Sequence, residues 1–303
     1  MNRKLVISLF LLFLSAPLLT QSFAQKKYIS KSNLPVRYEE LTSPEFIQAV
    51  ELSDSVCIIP MGILEKHGPH LPLGTDLLDV REIALRAAKK EYSIVFPEYY
   101  FGQIYEAKHQ PGTIAYSPEV VWNLLQETCE ELARNGLKKV ILVNGHGGNT
   151  SFLHYFCQAQ LASRKDYAVI LFRPERDSTV AKKVEALRKT TIDQHAGETE
   201  TSMILSHRPD LTHLERGKDQ SGENQKRLEH LFYGYTGIWW YARYPNHYAG
   251  DGSHASHEIG ELLLNSRADQ LAHLIKVFKE DNTILELQQE FFENTNKPLN
   301  TKQ

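Results

Sequence analysis

The sequence predicts an α/β fold in which helices cover both faces of a mostly parallel sheet. Short apolar runs of strand length alternate with longer segments of helical period, which is the pattern of such a sheet. Polar side chains that can bind metals follow the predicted strands, and open α/β sheets build their sites at that edge. No Pro-rich or Ser/Gly-rich linker divides the chain, so we predict one large domain.

Four apolar runs are predicted strands, and three longer amphipathic segments are predicted helices. The strands are residues 56–60, 94–96, 140–143 and 168–172, and the helices are residues 77–90, 118–135 and 150–163. Asp76 and Ser117 are the predicted N-caps of the first two helices, and Pro118 suits a first helical turn. Residues 256–287 also have a helical period, whereas the polar residues 179–193 and 216–229 predict a solvated periphery.

The first 24 residues have the pattern of a signal peptide. Arg3 and Lys4 precede an apolar run at residues 5–19, and Ser22-Phe23-Ala24 forms a small-residue cleavage site. The apolar run is shorter than the roughly 20 residues of a membrane-spanning helix. We therefore expect an exported protein, periplasmic or secreted, without a stable membrane anchor after cleavage. The remaining chain is predicted to comprise an N-terminal segment at 25–37, a domain at 38–285 and a polar tail at 286–303.

Net charge and cysteine content bear on which partners and which disulfide bonds the chain could have. The chain has 34 basic and 37 acidic residues and a formal net charge of −3, which does not suggest a nucleic-acid partner. Cys57, Cys129 and Cys157 are an odd number of cysteines, and we expect free, buried thiols. Aromatic residues concentrate at 233–248, and this aromatic stretch could pack in the core or line a subunit interface or a substrate pocket.

A first cluster of candidate metal ligands follows the first predicted strand. Glu65 and His67 are two residues apart and would point to the same side of an extended backbone. Glycines and prolines around them predict a tight loop that returns Asp76 to the same place. Two carboxylates and an imidazole suit zinc or manganese, and a carboxylate can bridge two ions. The alternative is a polar surface loop with ordinary caps. His70, in the same loop, is expected to orient a ligand or border the substrate.

A second cluster lies where the third predicted strand ends, in the sequence Asn144-Gly145-His146-Gly147-Gly148-Asn149. The glycines allow a sharp turn that leaves His146 projecting at the edge of the sheet. The turn lacks the spacing and the lysine of a phosphate-binding loop and the spacing of a dinucleotide fingerprint. Metal binding by His146 is therefore the favoured interpretation.

A third cluster, His195 to Ser202, opens a predicted short helix that ends near His207. His195 and Glu200 are five residues apart and can converge at the helix N-terminus, where the helix dipole favours carboxylates. Capping chemistry alone would also account for Glu198 and Glu200. His109, in the turn 109–113, could border a pocket or lie in a solvated turn.

Taken together, these clusters resemble the creatininase (creatinine amidohydrolase) family. That family has a loop of the form Glu-x-His-Gly-x-His followed by an aspartate, which Glu65 to Asp76 match. The turn 144–149, the stretch 195–202, the turn 111–113 and residues 255–260 resemble further family segments in the family's order. The resemblance covers residues from about 38 to 280.

The resemblance implies a three-layer αβα sandwich with a binuclear metal site that hydrolyses the C–N bond of a small cyclic amide or a formamide. The implied ligands are Glu65, His67, His146 and a bridging Asp76. Members that hydrolyse creatinine have another ligand, a glutamate, where this chain has Gly148, so we expect Glu200 to replace it, with Glu198 as the alternative. Gly147 stands where those members have an aromatic group near the substrate, so the resemblance places Gly147 beside the substrate. The two glycines argue against creatinine as substrate.

The mechanism that follows from the resemblance uses two divalent ions, zinc or manganese with iron as a further candidate. A water molecule bridging the ions would attack the amide carbonyl, and His195, assisted by Glu198, would pass the proton to the leaving nitrogen. The family also suggests a homo-oligomer and a small-molecule substrate. The alternatives are an exported metallopeptidase of the same family and a non-catalytic, metal-stabilised binding protein of the cell envelope.

Overall fold

A parallel sheet of four strands lies at the centre of the fold. The computed structural model describes residues 34–300, so the predicted signal peptide at residues 1–24 lies outside the described residues. The strand order is β2-β1-β3-β4, and every pairing is parallel. The strands are β1 (Val56–Met61), β2 (Ile94–Val95), β3 (Lys139–Asn144) and β4 (Ala168–Leu171), which confirms the four predicted strands.

Helices cover both faces of this sheet, because successive side chains of each strand point to opposite faces. Val56 and Ile58 pack with apolar side chains of α2 (Thr75–Lys90) and α8 (His257–Glu280) on one face. Cys57 and Ile59 pack on the other face with α1 (Ser43–Leu52), α3 (Pro118–Arg134) and α4 (Thr150–Ala159). The chain therefore forms the expected three-layer αβα sandwich.

The elements outside the four-stranded sheet and its covering helices include a second, smaller sheet. A short antiparallel pair is formed by β5 (Asp193–His195) and β6 (Ala249–Gly250). The remaining helices are α5 (Ser178–Leu187), α6 (Glu198–His207), α7 (Trp239–Arg243) and α9 (Thr283–Thr295). Short 3-10 helices connect other elements. Tyr105–Ala107 lies between β2 and α3, and Gly147–Asn149 lies between β3 and α4.

Helix boundaries confirm one predicted cap and correct another. Ser117 accepts a hydrogen bond from the Val120 backbone N–H and caps α3 as expected. The prediction that Asp76 caps α2 is wrong, because the helix begins at Thr75 and Gly74 is the N-cap. Asp76 is instead in the first helical turn. Its carboxylate does not cap the helix and lies close to His67 and His146.

The C-terminal segment is more helical than its polarity predicts. The helix expected at 256–287 is interrupted after Glu280, and Asp281 accepts a hydrogen bond from the Ile284 backbone N–H at the start of α9. Ile284 packs against the core, so α9 begins on the domain and runs to Thr295, within the predicted tail at 286–303.

The cysteine prediction can be compared with the structure of residues 34–300. No disulfide forms within this part of the chain: Cys57 and Cys129 are buried and Cys157 is half-buried, as free thiols. Within the same residues, no helix combines the length and the apolar character needed to cross a membrane.

Close packing at Gly62 fixes the position of the first helical turn of α2 against the end of β1. The Gly62 backbone N–H donates to the Tyr99 carbonyl at 3.0 Å. A Cβ atom at Gly62 would lie 2.3 Å from the backbone N and Cα of Leu77 and 2.8 Å from the Asp76 carbonyl carbon. The absence of a side chain at this residue therefore allows Asp76 to approach the loop that follows β1.

We predict that Gly62→Ala lowers the free energy of unfolding by about 1–3 kcal/mol, because the added methyl group must displace helix backbone. Urea denaturation measures this change. The matched control is Gly234→Ala, since a Cβ there meets no described atom within 4 Å. Equal stabilities for the two variants would contradict the assigned role of Gly62.

Candidate metal centre

The structure brings five of the predicted site residues together where β1 and β3 end. These strands pair in parallel through Met61 and Asn144, so the loops that carry Glu65 and His146 leave the sheet side by side. The first turns of α2 and α6 approach the same place. The five residues are Glu65, His67, Asp76, His146 and Glu200.

Two groups of potential ligands share Asp76. In one group, His146 Nδ1 lies 2.8 Å from Glu65 Oε1 and 3.0 Å from Asp76 Oδ2. In the other, His67 Nε2 lies 3.1 Å from Asp76 Oδ1 and 3.8 Å from Glu200 Oε1. Within each group the potential ligand atoms are all within 4.8 Å of one another, and each group could hold a metal ion. The two oxygens of Asp76 therefore face different groups.

The chemistry of these groups fits divalent cations. Glu65, His67 and Asp76 are at most 3% exposed, so unbalanced charge would be costly here. Among the described residues, neither Glu65 Oε1 nor Asp76 Oδ2 has a hydrogen-bond partner, although both lie close to His146 Nδ1. Buried carboxylate oxygens without a hydrogen-bond partner, close to imidazole nitrogens, are a suitable donor set for zinc or manganese.

Electrostatic coupling within the cluster is strong. Burial opposes protonation of His67, but the Asp76 and Glu200 carboxylates outweigh it and raise the pKa of His67 to about 10. Burial would also raise the pKa of Glu65, but the imidazoles of His146 and His195 hold it well below its ordinary value. Burial raises the pKa of Glu200 to about 7. The carboxylates therefore favour positive charge beside them, either as protons on these imidazoles or as metal cations.

His195 lies beside the two groups in an orientation that suits proton transfer. Its ring centroid is 4.4 Å from that of His67, and its Nε2 lies 3.0 Å from the Lys66 carbonyl oxygen. A carbonyl only accepts hydrogen bonds, so Nε2 carries the proton and Nδ1 is bare, 3.9 Å from Glu200 Oε2. Burial and the nearby His67 lower the pKa of His195 to about 3, so the ring is neutral and its bare Nδ1 can accept a hydrogen bond.

The structure adds His247, which sequence reasoning missed. The Trp240 indole N–H donates to His247 Nδ1 at 2.9 Å. Since an indole nitrogen only donates, a neutral His247 carries its proton on Nε2 and donates it to Glu65 Oε2. This contact turns the other oxygen of Glu65 toward His146. His247 has φ of 51°, and its position within the aromatic stretch 233–248 was the only sequence signal.

Glu198 is not brought into the cluster. Its side chain is fully buried, and its two oxygens accept hydrogen bonds from the backbone N–H groups of Lys189 and Thr190 at 2.8–3.0 Å. These contacts join the segment before β5 to the first turn of α6. Of the two glutamates that the sequence left open as the fifth ligand, the geometry favours Glu200.

The three residues predicted to border the substrate are in different places. His70 is buried, its Nε2 lies 2.8 Å from Thr201 Oγ1, and burial lowers its pKa to about 4. His109 is exposed, and its Nε2 lies 2.9 Å from the Pro245 carbonyl. Gly147 lines a cavity of about 330 Å³ together with Asp76, His146 and Glu200. Among these three residues, Gly147 alone shares a cavity with the cluster.

Comparison with known proteins agrees with this geometry. The family model described as creatininase, creatinine amidohydrolase, matches residues 39–275. The creatinine amidohydrolase of Pseudomonas putida is 30% identical over 195 residues, which cover 59% of this chain and 75% of that protein. The mycofactocin precursor peptide peptidase of Mycolicibacterium smegmatis is 32% identical over 160 residues, which cover 50% of this chain and 58% of that protein.

A solved structure of a mutant creatininase in a Zn–Zn form superposes with a TM-score of 0.70 at 25% identity. The superposition covers 82% of this chain and all of that chain. The agreement of sequence, fold and clustered ligands indicates a site for divalent metal ions. The chain therefore belongs to the creatininase family, and it is an amidohydrolase of that family.

Proposed function

We propose that this protein is a binuclear, metal-dependent amidohydrolase that cleaves the C–N bond of a small cyclic amide or a formamide. The observation that carries the proposal is the sharing of Asp76 by two ligand groups, one with Glu65 and His146 and the other with His67 and Glu200. A bridging carboxylate is the arrangement that holds two ions close together. Zinc and manganese are the proposed ions, with iron as a further candidate.

Divalent ions in these two groups would supply Lewis-acid activation of a water molecule and of the amide carbonyl. The chain's own contribution is proton transfer and positioning. His195 presents its bare Nδ1 to the cluster, so it is placed to take a proton and return it to the leaving nitrogen. Lys66 holds this ring in place through its carbonyl oxygen, and His247 fixes the carboxylate of Glu65.

The cavity beside the cluster supports a small substrate. Its volume of about 330 Å³ is at the lower end of the range for ligand pockets, roughly 300–1,000 Å³. Gly147 lines this cavity and presents no side chain to it. A compact amide fits such a cavity better than an extended polymer.

A peptidase is a second candidate because of a separate aromatic cavity. This cavity has a volume of about 640 Å³ and is lined by Glu106, His109, Tyr235, Trp239 and Tyr241 among others. Similarity to the mycofactocin precursor peptide peptidase favours the same alternative. A short peptide with an aromatic side chain would suit this surface, whereas a small cyclic amide would not need it.

Export and assembly are further parts of the proposal. The signal-peptide pattern at residues 1–24 supports a periplasmic or secreted location. Homo-oligomer formation is supported by the large exposed aromatic side chains of Phe232, Tyr233 and Tyr235.

The proposed function is tested with the purified, zinc- or manganese-loaded protein on a panel of cyclic amides, formamides and short aromatic peptides. We expect turnover of cyclic amides or formamides that is abolished by a chelator and restored by added metal. Turnover confined to the peptides would favour the peptidase. A protein that binds metal but turns over none of these classes would favour a non-catalytic binding protein.

Asp76→Ala and His195→Ala are predicted to separate metal binding from proton transfer. Asp76→Ala removes the shared carboxylate and should lose both metal and activity. His195→Ala should keep the metal content and lower kcat by about 10²–10⁴-fold, the usual contribution of general acid–base catalysis. Elemental analysis and kinetics of both variants measure the two effects. Full metal content and activity in Asp76→Ala would show that the bridging assignment is wrong.

Glu200→Ala is predicted to reduce metal binding, whereas Glu198→Ala is predicted to reduce stability. Glu200→Ala should bind fewer ions per chain, because it removes a ligand of one group. Glu198→Ala should keep both ions but lower the free energy of unfolding by about 1–3 kcal/mol, because the backbone N–H groups of Lys189 and Thr190 lose their acceptor. Elemental analysis and urea denaturation measure the difference, and loss of metal in Glu198→Ala alone would reverse the assignment.

A further inference from the structure

One nitrogen of the predicted ligand His146 is left without a partner. His146 is 7% exposed and turns Nδ1 toward Glu65 and Asp76. Its other ring nitrogen, Nε2, is buried and has no hydrogen-bond partner within the described part of the chain. An imidazole that binds a metal through Nδ1 carries its proton on Nε2. This buried N–H group therefore needs an acceptor, because leaving it unsatisfied costs about 1–3 kcal/mol.

Gly148 opens a space between this nitrogen and a carboxylate. A Cβ atom at position 148 would lie 2.4 Å from His146 Nε2 and 2.9 Å from Glu106 Oε1. Any side chain at position 148 would therefore separate the two atoms, and glycine allows them to face the same space. Gly147 differs from its neighbour, since a Cβ there meets no described atom within 4 Å.

The carboxylate of Glu106 is held near this space by the surrounding backbone. Glu106 is in the 3-10 helix Tyr105–Ala107, and the preceding Gln103 backbone N–H donates to Asn149 Oδ1 at 2.8 Å. This bond ties the segment of Glu106 to the turn of His146. Glu106 Oε1 receives one long hydrogen bond, 3.4 Å, from Gln103 Nε2, so it retains capacity to accept another.

We propose that Glu106 is a positioning residue of the metal centre that accepts the Nε2–H of His146 through one water molecule held over Gly148. Histidine ligands commonly donate their second N–H to a carboxylate, a carbonyl or a water, which fixes the ring and makes the ligand more basic. The inference rests on the proposed metal centre, since Glu106 acts on the metal through His146. It also gives a physical reason for glycine at position 148.

The test measures Zn²⁺ affinity of the full, metal-free chain by competition with a chromophoric chelator. Glu106→Leu removes the acceptor and should weaken the binding of one ion about 10- to 100-fold. Glu106→Gln keeps an oxygen that can accept from water, so its loss should be smaller than that of Glu106→Leu. The matched control is Glu98→Gln, at an exposed glutamate after β2.

Gly148→Ala tests the same space from the other side. Its methyl group excludes the water and presses on the His146 ring, so Zn²⁺ affinity should fall as in Glu106→Leu. The double variant Glu106→Leu/Gly148→Ala should bind Zn²⁺ about as tightly as the single variant with the lower Zn²⁺ affinity, because both changes remove the same interaction. Gly147→Ala is the control for metal affinity, since its methyl group meets no described atom within 4 Å.

A spectroscopic readout separates positioning from a general loss of structure. We expect Glu106→Leu to change the visible absorption bands of the Co²⁺-loaded protein while the metal-free variant keeps the wild-type unfolding temperature. Zn²⁺ affinities of Glu106→Gln, Glu106→Leu and Gly148→Ala that all match wild type would overturn the inference. Fewer than two ions in the wild-type protein would instead contradict the proposed binuclear centre, so the two failures are distinguishable.

Discussion

The carboxylates of Glu65, Asp76 and Glu200 meet at the end of the central sheet, and the surrounding structure depends on this concentration of negative charge. Among residues 34–300, the basic groups placed directly against them are imidazoles, those of His67, His146, His195 and, through its hydrogen bond to Glu65, His247. Water is largely excluded, so the carboxylates need cations to balance their charge. The close packing at Gly62, the left-handed backbone at His247 and the bent turn at Gly148 all serve to hold these ligands in place.

Sequence patterns predicted the strands, most of the helices and the convergence of the first four candidate ligands, because each depends on local signals. Glu65 and His67 share a side of an extended segment, and His146 follows a strand in a glycine-rich turn. The sheet then brings these segments together by a general rule of α/β folds. Glu200 could be named only as one of two glutamates, since a shift of two residues on a helix turns a side chain to another face.

The remaining features depend on contacts between segments that are distant in the chain. Glu198 is occupied by backbone N–H groups of Lys189 and Thr190, which its own sequence does not reveal. His247 reaches Glu65 across 182 residues, with a positive φ that no glycine marks. Glu106 faces His146 only because the two loops are tied by Asn149. Such positions are set by tertiary packing, whereas local patterns set the strands and helices.

The most direct test of the binuclear centre is X-ray diffraction from zinc-loaded crystals, recorded on both sides of the zinc absorption edge. We expect two anomalous peaks, one on each side of Asp76. Glu65 and His146 should contact one of them, and His67 and Glu200 the other. A single peak, or a second zinc ion without Asp76 among its ligands, would contradict this expectation.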